Sequence, residues 1–127
     1  MNFEKVVFGF FITLAATLNF GFCVGRIDDP SLHNGVELVA ALVVSVIATI
    51  LKFGDRTQLG AVHLATSLVA DLQLIAACVI WVWAAQISAE GMTGHHMALI
   101  VSVAIGALVA NMISVTLMVA ETLQLRR

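Results

Sequence analysis

The sequence has little charge, little punctuation and no tyrosine. Its 127 residues include six lysines and arginines and eight aspartates and glutamates, 11% charged in all, with a net charge of -2. Soluble domains carry about 25% charged residues. No basic patch forms, so a nucleic-acid partner is not expected. Pro30 is the one proline, and no Ser- or Gly-rich linker interrupts the chain, so residues 1–127 read as a single domain. The two cysteines, Cys23 and Cys78, stand in separate apolar blocks without a CxxC or metal-binding spacing, and read as small buried hydrophobes. There is no phosphate-binding glycine loop, no activated nucleophile and no pair of catalytic carboxylates. The chain is therefore not expected to be an enzyme or to carry a cofactor.

What fills the sequence is apolar. The composition is 61% hydrophobic and the mean hydropathy is +1.04. The apolar residues fall in four blocks, 6–24, 36–53, 56–86 and 97–121. A bilayer core of about 30 Å is crossed by about 20 such residues in a helix. The first block could pass for a signal peptide, since it follows Lys5. No small-residue cleavage site follows it, however, and it exceeds the roughly 7–15 residues of a signal core. The expected fold is an all-α membrane protein with four transmembrane helices.

Local signals sharpen the boundaries. Asn34-Gly35-Val36-Glu37 fits a capping box at the start of helix two. Lys52 suits the last turn of that helix. Residues 53–55 read as a tight turn, with Asp55 capping helix three and Gln58 as its reciprocal partner, so helices two and three form a close antiparallel hairpin. Trp81 and Trp83 fit an interfacial aromatic belt. His95 and His96 fall in the loop before helix four. Small residues recur every four positions at Gly9, Thr13, Thr17, Gly21 and Gly25, and again at Ser102, Gly106, Ala110 and Ser114, which points to close helix contacts. Lys5, Lys52, Arg56, Arg126 and Arg127 share one side and Arg26 lies alone on the other, which predicts an N-in/C-in orientation.

Asp71 is the residue that most needs a reason. An aspartate at the bilayer centre costs about 2.5–3.5 kcal/mol on insertion scales. His63, Thr66 and Ser67 precede it by eight, five and four residues and read as one polar face with it. Asn19 and Asn111 are further polar groups deep in helices one and four. Helix two carries its own stripe, Glu37, Ser45, Thr49 and Lys52, which lines a watery path or faces another helix. Gln73 points away from Asp71, towards a neighbouring helix. On the opposite side from the N-terminus, Asp28, Asp29, Glu37 and Glu90 read either as solvated loop charge or as an acidic vestibule that would gather cations. His33, His95 and His96 lie on that side too, but their spacing specifies no metal site. His63 has no second histidine at its depth, which excludes haem ligation within one chain.

The segments LNFGF at 18–22, LKFGDRTQLGAV at 51–62 and SLVADLQLIAA at 67–77 resemble a family of small bacterial inner-membrane proteins known only as a domain of unknown function. The resemblance implies a multi-pass protein of the bacterial inner membrane and no assigned activity. From the residues, the leading expectation is an oligomeric channel or transporter for protons or a small cation. Its ion pathway would run along Asp71, Ser67, Thr66 and His63, with Asn19 and Asn111. The other expectation is an accessory or assembly subunit of a larger membrane complex, its polar residues serving helix–helix contacts. In both, the lipid bilayer is a partner and a homo-oligomer is expected.

Overall fold

In a computed structural model the described residues are 3–53 and 58–125. Helix α1 covers Phe3–Cys23, α2 Gly35–Lys52, α3 Gln58–Val82 and α4 Gly94–Leu125. A wide turn over Trp83–Ile87 prolongs α3, and a short 3-10 turn over Pro30–Leu32 lies between α1 and α2. Among the described residues, four helices are long and apolar enough to cross a membrane. Large apolar side chains such as Phe10, Leu72, Val79 and Val109 face outward along them. Such a coat suits lipid and not water. The chain is a multi-pass membrane protein.

The helices pack as a ring, α1 against α2, α2 against α3, α3 against α4 and α4 against α1. The starts of α1 and α3 meet the finishes of α2 and α4 at one end. There Lys5 Nζ bonds Glu121 Oε1 at 3.0 Å, and Lys52 Nζ lies 4.8 Å from the centre of the Phe8 ring. At the other end Phe22 meets Trp81. We call these the lysine end and the tryptophan end. The 53–55 turn, the Asp55 cap, Arg56, Arg126 and Arg127 lie wholly or partly outside the described residues.

Close packing rests on alanine more than on the small-residue stripes. Ala15, Ala41, Ala48, Ala70, Ala77, Ala104 and Ala107 are fully buried. Thr13 and Thr17 are exposed on α1, so that stripe is not continuous with the core. On α4 the stripe is used within the chain: a Cβ at Gly106 would stand 2.7 Å from Gln73 Nε2 of α3, and Ser114 is buried. Gln73 thus packs against α4, as its position on the helix suggests, while its Oε1 has no hydrogen-bond partner among the described residues.

Two caps differ from the sequence expectation. Asn34 caps α2, its side chain accepting from Val36 N at 2.8 Å. Glu37 does not close a box, however; its carboxylate lies where a Cβ on Gly21 would meet it. Helix α4 begins at Gly94, three residues before the expected 97, which places His95 and His96 inside it. Thr93 Oγ1 accepts from His96 N at 3.2 Å, and His96 Nδ1 lies 3.3 Å from Thr93 N and 3.0 Å from Gly91 O. This is the geometry of a capping box, with histidine where glutamate or glutamine is usual. Thr93→Val is expected to lower stability by about 1 kcal/mol, read from the denaturation midpoint of purified protein.

Candidate functional site

Asp71 sits near the middle of α3 and its wide turn, which together form a span of 30 residues over Gln58–Ile87. Its side chain turns inward to α2 and is only 8% exposed. Two hydroxyls meet it. Ser45 Oγ donates to Oδ1 at 2.6 Å, and Thr49 Oγ1 lies 2.6 Å from Oδ2. Ser45 and Thr49 are one turn apart, so one face of α2 offers both hydroxyls to one carboxyl group. These are two members of the helix-two stripe, and the stripe faces another helix here. Short bonds from hydroxyls to a carboxylate belong to the stronger class of hydrogen bonds.

Below Asp71, towards the lysine end, come Ser67 and then His63. Both are buried, and Ser67 Oγ has no hydrogen-bond partner among the described residues. The His63 ring packs edge-on to Phe8, with centroids 5.5 Å apart. Its Nε2 lies 3.9 Å from Glu121 Oε2. Glu121, Lys5, Lys52, Glu4, Phe8 and Met118 help line a 630 Å³ cleft open at that end. A buried polar column therefore runs along α3 from the cleft to Asp71.

Thr66 is not part of that column. Its hydroxyl turns to α4 and lies 2.7 Å from Ser114 Oγ. At 3.6 residues per turn, a separation of five residues rotates two side chains about 140° apart. Thr66 and Asp71 consequently serve different neighbours, and the single polar face read from the sequence divides in two.

Asn19 and Asn111 join α1 to α4. Both are fully buried. With its amide oriented to satisfy both ends, Asn19 donates to Ala104 O at 2.9 Å and accepts from Asn111 Nδ2 at 3.1 Å. Neither residue carries charge. Beyond them the interior is apolar, built from Phe22, Leu38, Leu74, Met97 and Ile100 with intervening alanines.

The acids expected to form a vestibule hold separate local positions. Asp28 pairs with Arg26 at 3.3 Å. Asp29 caps the 3-10 turn, accepting from Ser31 Oγ at 2.7 Å and from Ser31 N at 3.0 Å. Those two bonds, helped by nearby Arg26 and His33, hold its carboxyl below the usual carboxylate range. Glu37 lies against Gly21, and Glu90 is exposed between α3 and α4. His33 is buried, with Nδ1 2.6 Å from Phe22 O and Nε2 2.7 Å from Arg26 O, so both its nitrogens are occupied by backbone. Among the described residues no three His, Cys, Asp or Glu side chains group closely enough to hold a metal ion.

One family model matches residues 32–122, which takes in α2, α3 and nearly all of α4. The chain belongs to a family of unknown function, DUF6394. The span matched to DUF6394 includes Ser45, Thr49, His63, Ser67, Asp71 and Asn111, and leaves out Asn19 and the rest of α1. No curated protein and no solved structure matches the chain.

Proposed function

We propose that the chain is a membrane transporter or channel for protons or a small cation, with Asp71 as the binding group at mid-span. The observation that carries this reading is the carboxyl group of Asp71, buried in an apolar bundle yet met by two hydroxyls, at the head of a polar column. Ionisable groups inside membrane spans are rare and mark ion paths and proton relays. His63 and Ser67 form the approach to Asp71 from the Glu121 cleft, and the apolar layer around Phe22 and Leu74 separates it from the tryptophan end. The bias of basic residues supports an N-in/C-in orientation, with α2 and α3 a tight hairpin and the lysine end in the cytoplasm. A bacterial inner membrane suits this reading. The approach to Asp71 lies inside one bundle, so a homo-oligomer would place several such paths side by side.

Ion flux into liposomes tests it. Wild-type protein is expected to carry protons or a monovalent cation, and Asp71→Asn to reduce the rate at least tenfold while the protein stays folded. Equal flux from both proteins would sink the proposal. Tight liposomes with wild type, together with a larger partner that co-purifies and is lost in Asp71→Asn, would favour an accessory subunit instead.

A further inference from the structure

We propose that the ion held by Asp71 is a proton, shared with Thr49, and not a metal cation. The inference rests on the transport reading but concerns only what the site binds. Thr49 Oγ1 lies between two acceptors, Asp71 Oδ2 at 2.6 Å and the backbone carbonyl of Ser45 at 3.0 Å. A hydroxyl has one hydrogen to give and lone pairs to receive. With the carboxylate ionised, Thr49 gives its hydrogen to Oδ2. With the carboxyl protonated at Oδ2, the acid hydrogen is given to Thr49 Oγ1, and Thr49 turns its own hydrogen to Ser45 O. Ser45 Oγ donates to Oδ1 in both states. Protonation thus forms one O–H bond at Oδ2, with the proton drawn from water at the Glu121 cleft, and no heavy atom has to move. A buried polar group left unsatisfied in either state would be costly. Neither state leaves the Asp71 carboxyl group, Ser45 Oγ or Thr49 Oγ1 without a partner.

A metal cation fits the same atoms poorly. Calcium takes about 6–8 oxygen ligands and magnesium a near-ideal octahedron. Among the described residues Asp71 is the one buried carboxylate, and both its oxygens are already approached by hydroxyls at hydrogen-bond distance. The groups facing it are Ser45 and Thr49 from α2 and Ser67 from its own helix. The buried polar side chains that α1 and α4 bring to the middle of the bundle are Asn19, Asn111 and Ser114, none of which titrates. His63 is two turns away along α3, about 12 Å at 1.5 Å per residue. Lys52 follows Thr49 by three residues on α2, with its Nζ 4.8 Å from the centre of the Phe8 ring, and Lys5 pairs with Glu121 at the lysine end.

Infrared difference spectroscopy on the full chain in lipid nanodiscs tests this. A carboxyl stretching band is expected to appear as pH is lowered, to be missing in Asp71→Asn, and to shift in Thr49→Val but not in Thr49→Ser. The two threonine variants assign the band even if Asp71→Asn does not fold. Sodium, potassium or magnesium chloride, added singly in excess at matched ionic strength, is expected to move the titration midpoint less than twofold in proton concentration. A midpoint that moves tenfold for each tenfold rise in one of these cations would overturn the proposal, as would the lack of any band that responds to Thr49→Val. A cation-sensitive midpoint with intact flux leaves the transport reading standing. A proton-only titration in a protein that carries no ion sinks that reading and keeps this one.

Discussion

Replacing Ser45 by alanine and Thr49 by valine together is expected to lower stability by about 3–5 kcal/mol, the range for stripping the partners from a buried charge. The measurement is the denaturation midpoint of the purified chain at a pH where the carboxylate is ionised. Each hydroxyl gives Asp71 a bond of 2.6 Å, and a hydrogen bond to a charged group is worth about 1.5–3 kcal/mol. Neutral interhelical bonds in membrane proteins average only about 0.6 kcal/mol, because the unfolded chain also finds partners. The larger range applies here because Asp71 is ionisable and, among the described residues, no lysine or arginine is buried. A loss below about 1 kcal/mol would show that the carboxyl group stays neutral and needs neither hydroxyl, and the proton-sharing scheme would fall with it.

A third substitution separates stability from function. Adding Asp71→Leu to the Ser45→Ala, Thr49→Val background removes the stranded carboxylate. Replacing a buried polar cluster by apolar side chains of similar size is often neutral or stabilising. The triple variant is therefore expected to recover most of the lost stability and none of the flux. Asp71 then stands as a group retained for its chemistry, because an apolar residue would hold the bundle equally well.

The sequence made the four spans legible because their signal is cumulative: each rests on some twenty apolar residues, and the structure places all four within a few residues of the expected ends. Asp71 was legible for a similar reason, as a charge where hydrocarbon was expected. Its partners were not. Ser45 and Thr49 stood out as a stripe, yet a stripe gives a direction around its own helix and not the angle at which the next helix meets it. Thr66 was misplaced because spacings of three, four and eight residues were merged into one face, although five residues separate Thr66 from Asp71 and turn them apart. The α4 start was misread because His96 does at Thr93 what glutamate usually does. Asn19 and Asn111 each stood out as a lone amide, but nothing in a single chain's sequence pairs residues so far apart.

That amide pair gives the second large effect. Asn19→Leu is expected to cost about 1–3 kcal/mol, the desolvation penalty of a buried polar group left unpaired. The loss falls mainly on Asn111, which is fully buried and whose Oδ1 already has no hydrogen-bond partner among the described residues. Removing Asn19 takes the acceptor from its Nδ2 as well, while Ala104 O keeps its place in the α4 backbone. Asn111→Leu alone strands less, because Asn19 still donates to Ala104 O. The double variant should therefore cost less than the sum of the two single ones, by about 0.6–1.7 kcal/mol, the coupling measured for such pairs in membranes. Denaturation midpoints of the four proteins in the cycle supply the number. Strict additivity would mean that the two amides act independently, and that the bond between them adds nothing to the joining of α1 and α4.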